Sequence, residues 1–364
     1  MRANITNRQM FFILFLTLTT YSTINLPKIM AESAGRSAWI VILISAIIFG
    51  ILSTYITRLN NMYQGKVFFD YAQEIIGKKA TIIIVIYFLL FIFFTGTYLK
   101  FQLLNILTSN FLPLTPKFVP LLLSCLLFGY IAYKGITNIA RLFEIYGVLF
   151  LIVVVFLSFL MILQGMKENV MPFYNSNDTK HFLTALKSSI TLYVGIGILL
   201  VIPFNKNNKK APKTSFLTLL AIGFIYVLIF EGSLMVLGLN NTITFNDAFI
   251  EAIKLVRVSV IERSDILYLI FGLMSLFAGI SFFNVTILEL MCKLFPKIKR
   301  LILMFSMDII FFVLTLLALK MNNVYEIYIS LSPYFVIFSS VLILIIFAIA
   351  KVKKSSQKNK EKAL

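Results

Sequence analysis

Charged residues make up only 13% of this 364-residue chain, about half of the roughly 25% usual in a soluble domain. That shortage excludes an ordinary water-facing surface. Cysteine is nearly absent. Cys125 and Cys292 are the two, one inside an apolar run and the other at the edge of one, so no disulfide framework is available. The single histidine, His181, lies in a connecting segment near Asp178, with no further ligand at usable spacing, which argues against a metal centre. A Gly-Lys-Ser/Thr phosphate loop and a paired-carboxylate motif are both missing, so neither an enzyme, nor ATP-driven transport within the chain, nor a bound cofactor is expected. Short strands of alternating polar and apolar residues, the mark of a membrane barrel, are missing too.

What fills the chain is apolar: 60% of residues are hydrophobic, and they run in blocks such as Ile82 to Phe94, Leu142 to Leu163 and Leu217 to Phe230. A bilayer core needs runs of about 20 such residues. In lipid the backbone must bond to itself, so the runs are helices. The first run, Met10 to Met30, lacks a small-residue cleavage pattern and reads as a span rather than a signal peptide. The expectation is an all-α membrane protein of about ten spans, near 8–31, 38–58, 80–109, 117–134, 142–164, 185–203, 214–240, 265–290, 300–320 and 329–350. They form a single transmembrane domain, 1–350, followed by a basic tail, 351–364. The segment Phe68 to Ile76 is amphipathic and is expected to lie along the inner surface. Asn246 to Asp265 reads as an external helix packed on the bundle.

The net charge of +18 is explained by topology rather than by nucleic acid as a partner. With the N-terminus inside, 22 of the 33 lysines and arginines fall in inner segments, ten fall outside, and Lys100 lies within a span. The opposite orientation would break the positive-inside rule. Both termini are therefore expected in the cytoplasm.

Two spans carry interruptions. The first contains Thr20-Tyr21-Ser22-Thr23-Ile24-Asn25-Leu26-Pro27, rich in hydroxyl and amide groups and ending on a proline that frees a carbonyl one turn earlier. The sixth contains Tyr193-Val194-Gly195-Ile196-Gly197 and then Pro203, where glycine weakens a helix. Matched breaks in the first span of each half point to a 5+5 inverted repeat, about 8–164 and 185–350, with discontinuous helices 1 and 6 and a solute site between them. The other reading is ordinary kinks and close packing. On the third span Thr95, Tyr98, Gln102 and Asn105 share one face, either lining a site or bonding between helices. Gly272, Ser275, Gly279 and Thr286 share a face of the eighth, with Phe283 beside them, and there the small residues give either close helix approach or room for a ligand. Lys100 and Glu231 sit deep in their spans, where an unpaired charge is costly. They either pair with each other or snorkel separately to the surface.

Several local patterns resemble the spore germination permease family, the B subunit of germinant receptors. They are Arg8-Gln9, Leu26-Pro27, Ala34-Gly35-Arg36-Ser37-Ala38-Trp39-Ile40, Ile76-Gly77-Lys78, Leu112-Pro113-Leu114-Thr115-Pro116, Gly135-Ile136-Thr137-Asn138-Ile139-Ala140-Arg141 and Ile261-Glu262-Arg263-Ser264-Asp265. They run in order over nearly the whole chain. That family is similar to the amino acid–polyamine–organocation transporters, whose LeuT-like fold has two five-helix inverted repeats. The resemblance implies a germinant-recognition subunit in the inner spore membrane, beside an A subunit and a lipoprotein C subunit. It would bind a small-molecule germinant, an amino acid or nucleoside. The rival is a secondary transporter (permease) of amino acids. Carried over, the binding positions fall near Thr20 and Ser22, Thr95, Val194 and Gly195, and Gly279 with Phe283. Thr23, Asn25, Tyr98, Tyr193 and Gly197 join them from the breaks and the stripe. The family often has glycines where Thr20 and Ser22 stand, and an acid where Gly197 stands. This chain therefore has a narrower site and fewer groups to carry a coupling proton.

Overall fold

The structure, a computed structural model, describes residues 5–63, 66–173, 182–202, 208–256 and 264–363. Every element among them is helical: α1 (Asn7–Ala34), a 3-10 turn (Gly35–Ser37), α2 (Ala38–Met62), α3 (Phe68–Ile76), α4 (Lys78–Asn110), α5 (Phe118–Lys134), α6 (Ile136–Gln164), α7 (Phe182–Ser189) running on as a 3-10 segment (Ile190–Leu200), α8 (Ala211–Thr244), α9 (Ala248–Leu255), α10 (Ser264–Leu294), α11 (Arg300–Lys320) and α12 (Val324–Ala363). Eight helical stretches are long and apolar enough to cross a membrane. The first of these, Ser22–Met62, joins the second half of α1 to α2, and the shorter apolar α5 has 17 residues. Counted individually, the long elements are the ten that the hydrophobic runs predict. Pro203, His181, Asp178 and Ile261 to Arg263 lie outside the described residues.

α3 is the expected amphipathic surface helix. Its Phe68, Phe69, Tyr71, Ala72 and Ile75 are buried, while Asp70 meets Lys293 of α10 at 2.8 Å and Lys66 pairs with Glu74. Lys353 near the end of α12 donates to the Ile75 carbonyl at 2.7 Å, so the C-terminal helix and α3 share one end of the bundle. α9 lies at the other end, within the segment 246–265 that the sequence predicts to pack on the bundle as a helix.

α1 is the axis of the molecule. Every described side chain from 12 to 27 is buried, and the helix packs on α6, α8, α10 and the 3-10 segment. Contrary to the expected discontinuity there, α1 is an unbroken helix through Pro27. Its hydroxyls turn back on their own helix: Thr19, Thr20, Ser22 and Thr23 each donate to the carbonyl four residues before, a local bond that keeps a buried hydroxyl satisfied without unwinding. The periphery has the opposite character. Leu122, Leu123 and Leu126 of α5, Ile302, Phe305 and Ile309 of α11, and Tyr334, Phe338 and Val341 of α12 are exposed at helical spacing. Such apolar faces belong against lipid rather than water.

Lys100 and Glu231 do not meet. Lys100, on α4, is wholly buried and lies 3.5 Å over the Phe311 ring. The titratable groups near enough to act on it are Cys125 of α5 and Asp308 of α11. Asp308 is buried as well, and neither its carboxylate oxygens nor the Lys100 ammonium has a hydrogen-bond partner. Gly129 on α5 makes room for that carboxylate: a Cβ there would overlap it. Glu231 lies on α8 without an opposite charge among its influences. Depth along the spans suggested the wrong acid, because depth does not say which faces oppose each other.

A cation stabilised by an aromatic face and a nearby carboxylate is expensive to strip of either. Lys100→Met or Asp308→Asn alone should each destabilise the chain in detergent by about 3 kcal/mol. The double change should be clearly milder than the sum, and strictly additive melting losses would disprove the coupling. Gly129→Ala should likewise lower the melting temperature in the native background but much less beside Asp308→Ala. Equal losses in the two backgrounds would show that the carboxylate does not need the space.

Candidate functional site

The break expected in the sixth span is present. After α7 the chain tightens into the 3-10 segment Ile190–Leu200, in which Tyr193 leaves helical geometry at φ −111°, ψ 19°. A 3-10 run of 11 residues is unusually long. Gly195 and Gly197 are two apart and so face differently. A Cβ on Gly195 would come within 2.9 Å of Thr17 Cγ2 on α1, whereas one on Gly197 would meet nothing within 4 Å. One glycine allows the contact with α1, and the other borders space.

The hydroxyl groups of α1 close this contact. Thr20 Oγ1 reaches the Ser275 carbonyl of α10 at 3.0 Å, and its side chain fills the place where a Cβ on Gly279 would stand. Ser22 Oγ reaches the Leu192 carbonyl at 3.1 Å and accepts from Tyr226 Oη at 2.8 Å. Thr23 accepts from Tyr268 Oη at 2.9 Å. Tyr193 stacks on Phe49 of α2, ring centroids 4.5 Å apart. The expected site residues Thr20, Ser22, Thr23, Tyr193, Gly195 and Gly279 therefore lie at the contacts of α1 with α8, α10 and the 3-10 segment, and each is taken up by packing or hydrogen bonding to a neighbouring protein group. At Gly279 the small residue serves close helix approach.

The space beside the 3-10 segment and Phe283 lies toward the α3 end. Val194, Gly197 and Phe283 border a cavity of about 40 Å³, completed by residues such as Phe91 of α4 and Val336 of α12. Ser339, Ser340 and Thr286 are its polar groups, and no ionisable side chain lines it. A water needs roughly 10–15 Å³ of such volume, so a few waters fit and an amino acid does not. A nutrient could occupy this place only if α10, α12 and the 3-10 segment moved apart.

Toward the α9 end the α4 stripe does two things. Thr95 lies beside the Tyr328 hydroxyl, and Tyr98 stacks on the Tyr328 ring at 3.9 Å. Gln102 donates to Tyr98 Oη at 2.5 Å and, at 3.5 Å, toward Asn25 Oδ1 of α1. Apart from the Gln102–Tyr98 bond within α4, these are interhelical contacts to α12 and α1, and together they form a layer across the bundle. Above it, Gln102 and Asn105 line an outer pocket of about 540 Å³ with Thr115, Lys117 and Asp247. Lys117 donates to Asn105 Oδ1 at 3.2 Å. Burial pushes the Asp247 carboxyl up, Glu251 adds to the rise, and Lys254 and Lys28 oppose it. Asn25, Thr95 and Tyr98 thus belong to this layer rather than to the cavity below. Lys100 and Glu231 lie outside both spaces.

Several participants were not anticipated. Asp308 is the one charge between Arg300 and Lys320, so the rule that singled out Lys100 applied to it equally. Tyr226, Tyr268 and Tyr328 carried the weaker signal of a buried phenol that needs a partner. Asp247 and Lys117 lie in connections, where a charge is unremarked.

Comparison with known proteins follows this geometry. Residues 4–324 match the family model described as spore germination protein, the spore permeases. Among curated proteins, Bacillus subtilis (strain 168) YndE, a spore germination protein, is 21% identical over 98% of this chain and 99% of its own length. YfkT of the same organism, which carries the same class of description, is 27% identical over 66% of each chain, just under two thirds. Among solved structures, the nucleobase-cation-symport-1 transporter Mhp1, in a closed conformation with bromovinylhydantoin bound, superposes with a TM-score of 0.62 at 15% identity, covering 91% of this chain and 75% of its own. That likeness gives the fold, a LeuT-like transporter bundle. With the family pattern running from residue 4 to residue 324, the chain belongs to the spore germination permease family.

Proposed function

We propose that this chain is the germinant-recognition subunit of a spore nutrient receptor, binding a small nutrient, an amino acid or a nucleoside, inside a transporter-like bundle. The observation that carries this reading is the state of the central site. Residues of the first, sixth and eighth spans are gathered as a solute site requires, yet Thr20 fills the recess at Gly279, Gly195 abuts Thr17, and the cavity bordered by Val194, Gly197 and Phe283 is too small for a solute. A bundle built this way holds one state in the absence of ligand. A nutrient that binds only the separated arrangement shifts it to another. The A and lipoprotein C subunits of the receptor would respond to that shift in the inner spore membrane, with both termini of this chain in the cytoplasm as the loop charges favour. Positive dipole ends at the break would favour an anionic group such as a carboxylate.

A secondary transporter of amino acids is the second reading, and the fold favours it. Against it stands the lining of the cavity, which offers no acid to carry a proton and no fixed charge for an ion.

The test uses spores lacking this chain, complemented with the native gene or with variants, and scored against single amino acids and nucleosides. Gly197→Leu fills open space, so the receptor should assemble while the response to one nutrient is lost or its half-maximal dose rises at least tenfold. Unchanged responses across the panel would remove the cavity from the mechanism. Gly195→Leu drives a side chain into Thr17 and should instead lower the amount of folded chain. Concentrative uptake of labelled amino acid by proteoliposomes holding this chain alone would favour the transporter.

A further inference from the structure

The outer pocket at the α9 end has a charge pattern that the central site does not use. It is open to that face, and its volume of about 540 Å³ falls within the range of small-molecule sites, about 300–1,000 Å³. Two opposite charges line it. Lys117 extends from the connection between α4 and α5, and its one hydrogen bond, to Asn105 Oδ1, leaves two of its three donors available. Asp247 precedes α9 in the position from which an aspartate ordinarily caps a helix, but its side chain makes no cap bond. It borders the pocket instead. Among the described residues no ion pair joins Asp247 to Lys117, and none joins either to another group. Lys254 and Lys28 are the cations that act on Asp247, and its carboxylate remains open to a charge-assisted bond from the ammonium of a guest. Gln102 and Asn105 add amide donors and acceptors to the same lining.

We propose that this pocket binds a free zwitterionic α-amino acid, with its carboxylate at Lys117, its ammonium at Asp247, and Gln102 and Asn105 bonding along its backbone atoms. A nucleoside carries neither charge and would leave both side chains as they are. The inference rests on the reading of the chain as a nutrient-binding subunit and chooses between its two nutrient classes. It also sets the first contact above the layer of Tyr98, Tyr328, Gln102 and Asn25. Gln102 belongs to both, so a guest that takes a bond from Gln102 acts directly on the tie between α4 and α1.

The test uses the full-length chain in nanodiscs, with the twenty L-amino acids screened by thermal shift and binding then measured by calorimetry. At least one amino acid should bind. Its matched acid lacking the amine, and its matched amine lacking the carboxylate, should each bind at least tenfold more weakly. Asp247→Asn and Lys117→Gln should each weaken binding at least tenfold while the melting temperature without ligand stays unchanged. A second measurement does not depend on those variants: Thr115→Cys places a thiol on the pocket wall, and the bound amino acid should slow its alkylation by a membrane-impermeant maleimide at least tenfold. Binding of no amino acid, binding indifferent to Asp247→Asn and Lys117→Gln, or alkylation unaffected by ligand would each overturn the proposal. Gly197→Leu separates this site from the central one. It should bind the amino acid with native affinity, and loss of binding in that variant with retention in Asp247→Asn would place the ligand in the centre and sink the outer site. Retained binding together with an indifferent germination response would leave the outer site standing and remove the receptor reading.

Discussion

The organisation of this bundle follows from a single requirement: the hydroxyl groups of α1 must be satisfied where there is no water. A helix on the axis of a membrane bundle has no surface to which a polar group can turn. Thr20 and Ser22 each share their one proton between two carbonyls, Leu16 and Leu18 behind them on α1 and Ser275 and Leu192 across the interface. The cross bonds draw α10 and the 3-10 segment onto α1. Gly279 and Gly195 are the recesses that let them come so near. Thus the polar groups that would face a solute in an open bundle are the groups that hold this one shut.

A second demand is met elsewhere and differently. Lys100 and Asp308 have no self-contained solution of the kind a hydroxyl has, because a charge cannot be satisfied by its own helix turn. Each depends on the other, on Phe311 and on the space left by Gly129. This commits α4, α5 and α11 to one another. Moving any of the three would leave an uncompensated charge in lipid, at several kcal/mol by any account.

The number and order of the spans were legible because a bilayer imposes a length on every apolar run, and α3 was legible because amphipathicity at 3.6 residues per turn is a local property. The site was legible as a set of residues but not as a state. A row of hydroxyls before a proline is compatible with an unwound helix and with one whose hydroxyls bond to its own carbonyls, and α1 takes the second course. Gly195 and Gly197 look alike in sequence, yet one abuts Thr17 and the other borders open space. That difference is set by the rotation of a 3-10 segment, which the composition does not fix. Lys100 announced that it needed a partner. Glu231 matches it in depth, which is one coordinate, whereas pairing also depends on which helices are neighbours.

The two solutions divide the bundle into contacts that cost less to open and contacts that cost more. Separating α1 from α10 and the 3-10 segment breaks the bonds from Thr20 and Ser22 across the interface, but each of these two hydroxyls keeps its bond four residues back, and Tyr268 Oη is the neutral donor that loses its acceptor, Thr23. Interhelical hydrogen bonds in membranes are worth on average only about 0.6 kcal/mol, so this interface can be opened by a ligand of ordinary affinity. The same separation between α4 and α11 would strand Lys100 and Asp308. The contacts of α1 with α10 and the 3-10 segment would therefore open at lower cost than those among α4, α5 and α11. The Gln102–Asn25 tie is a bond between α4 and α1, and it lies at the floor of the outer pocket. A guest of the proposed kind would compete for that contact between α4 and α1, so occupancy of the outer pocket would bear directly on the buried axis.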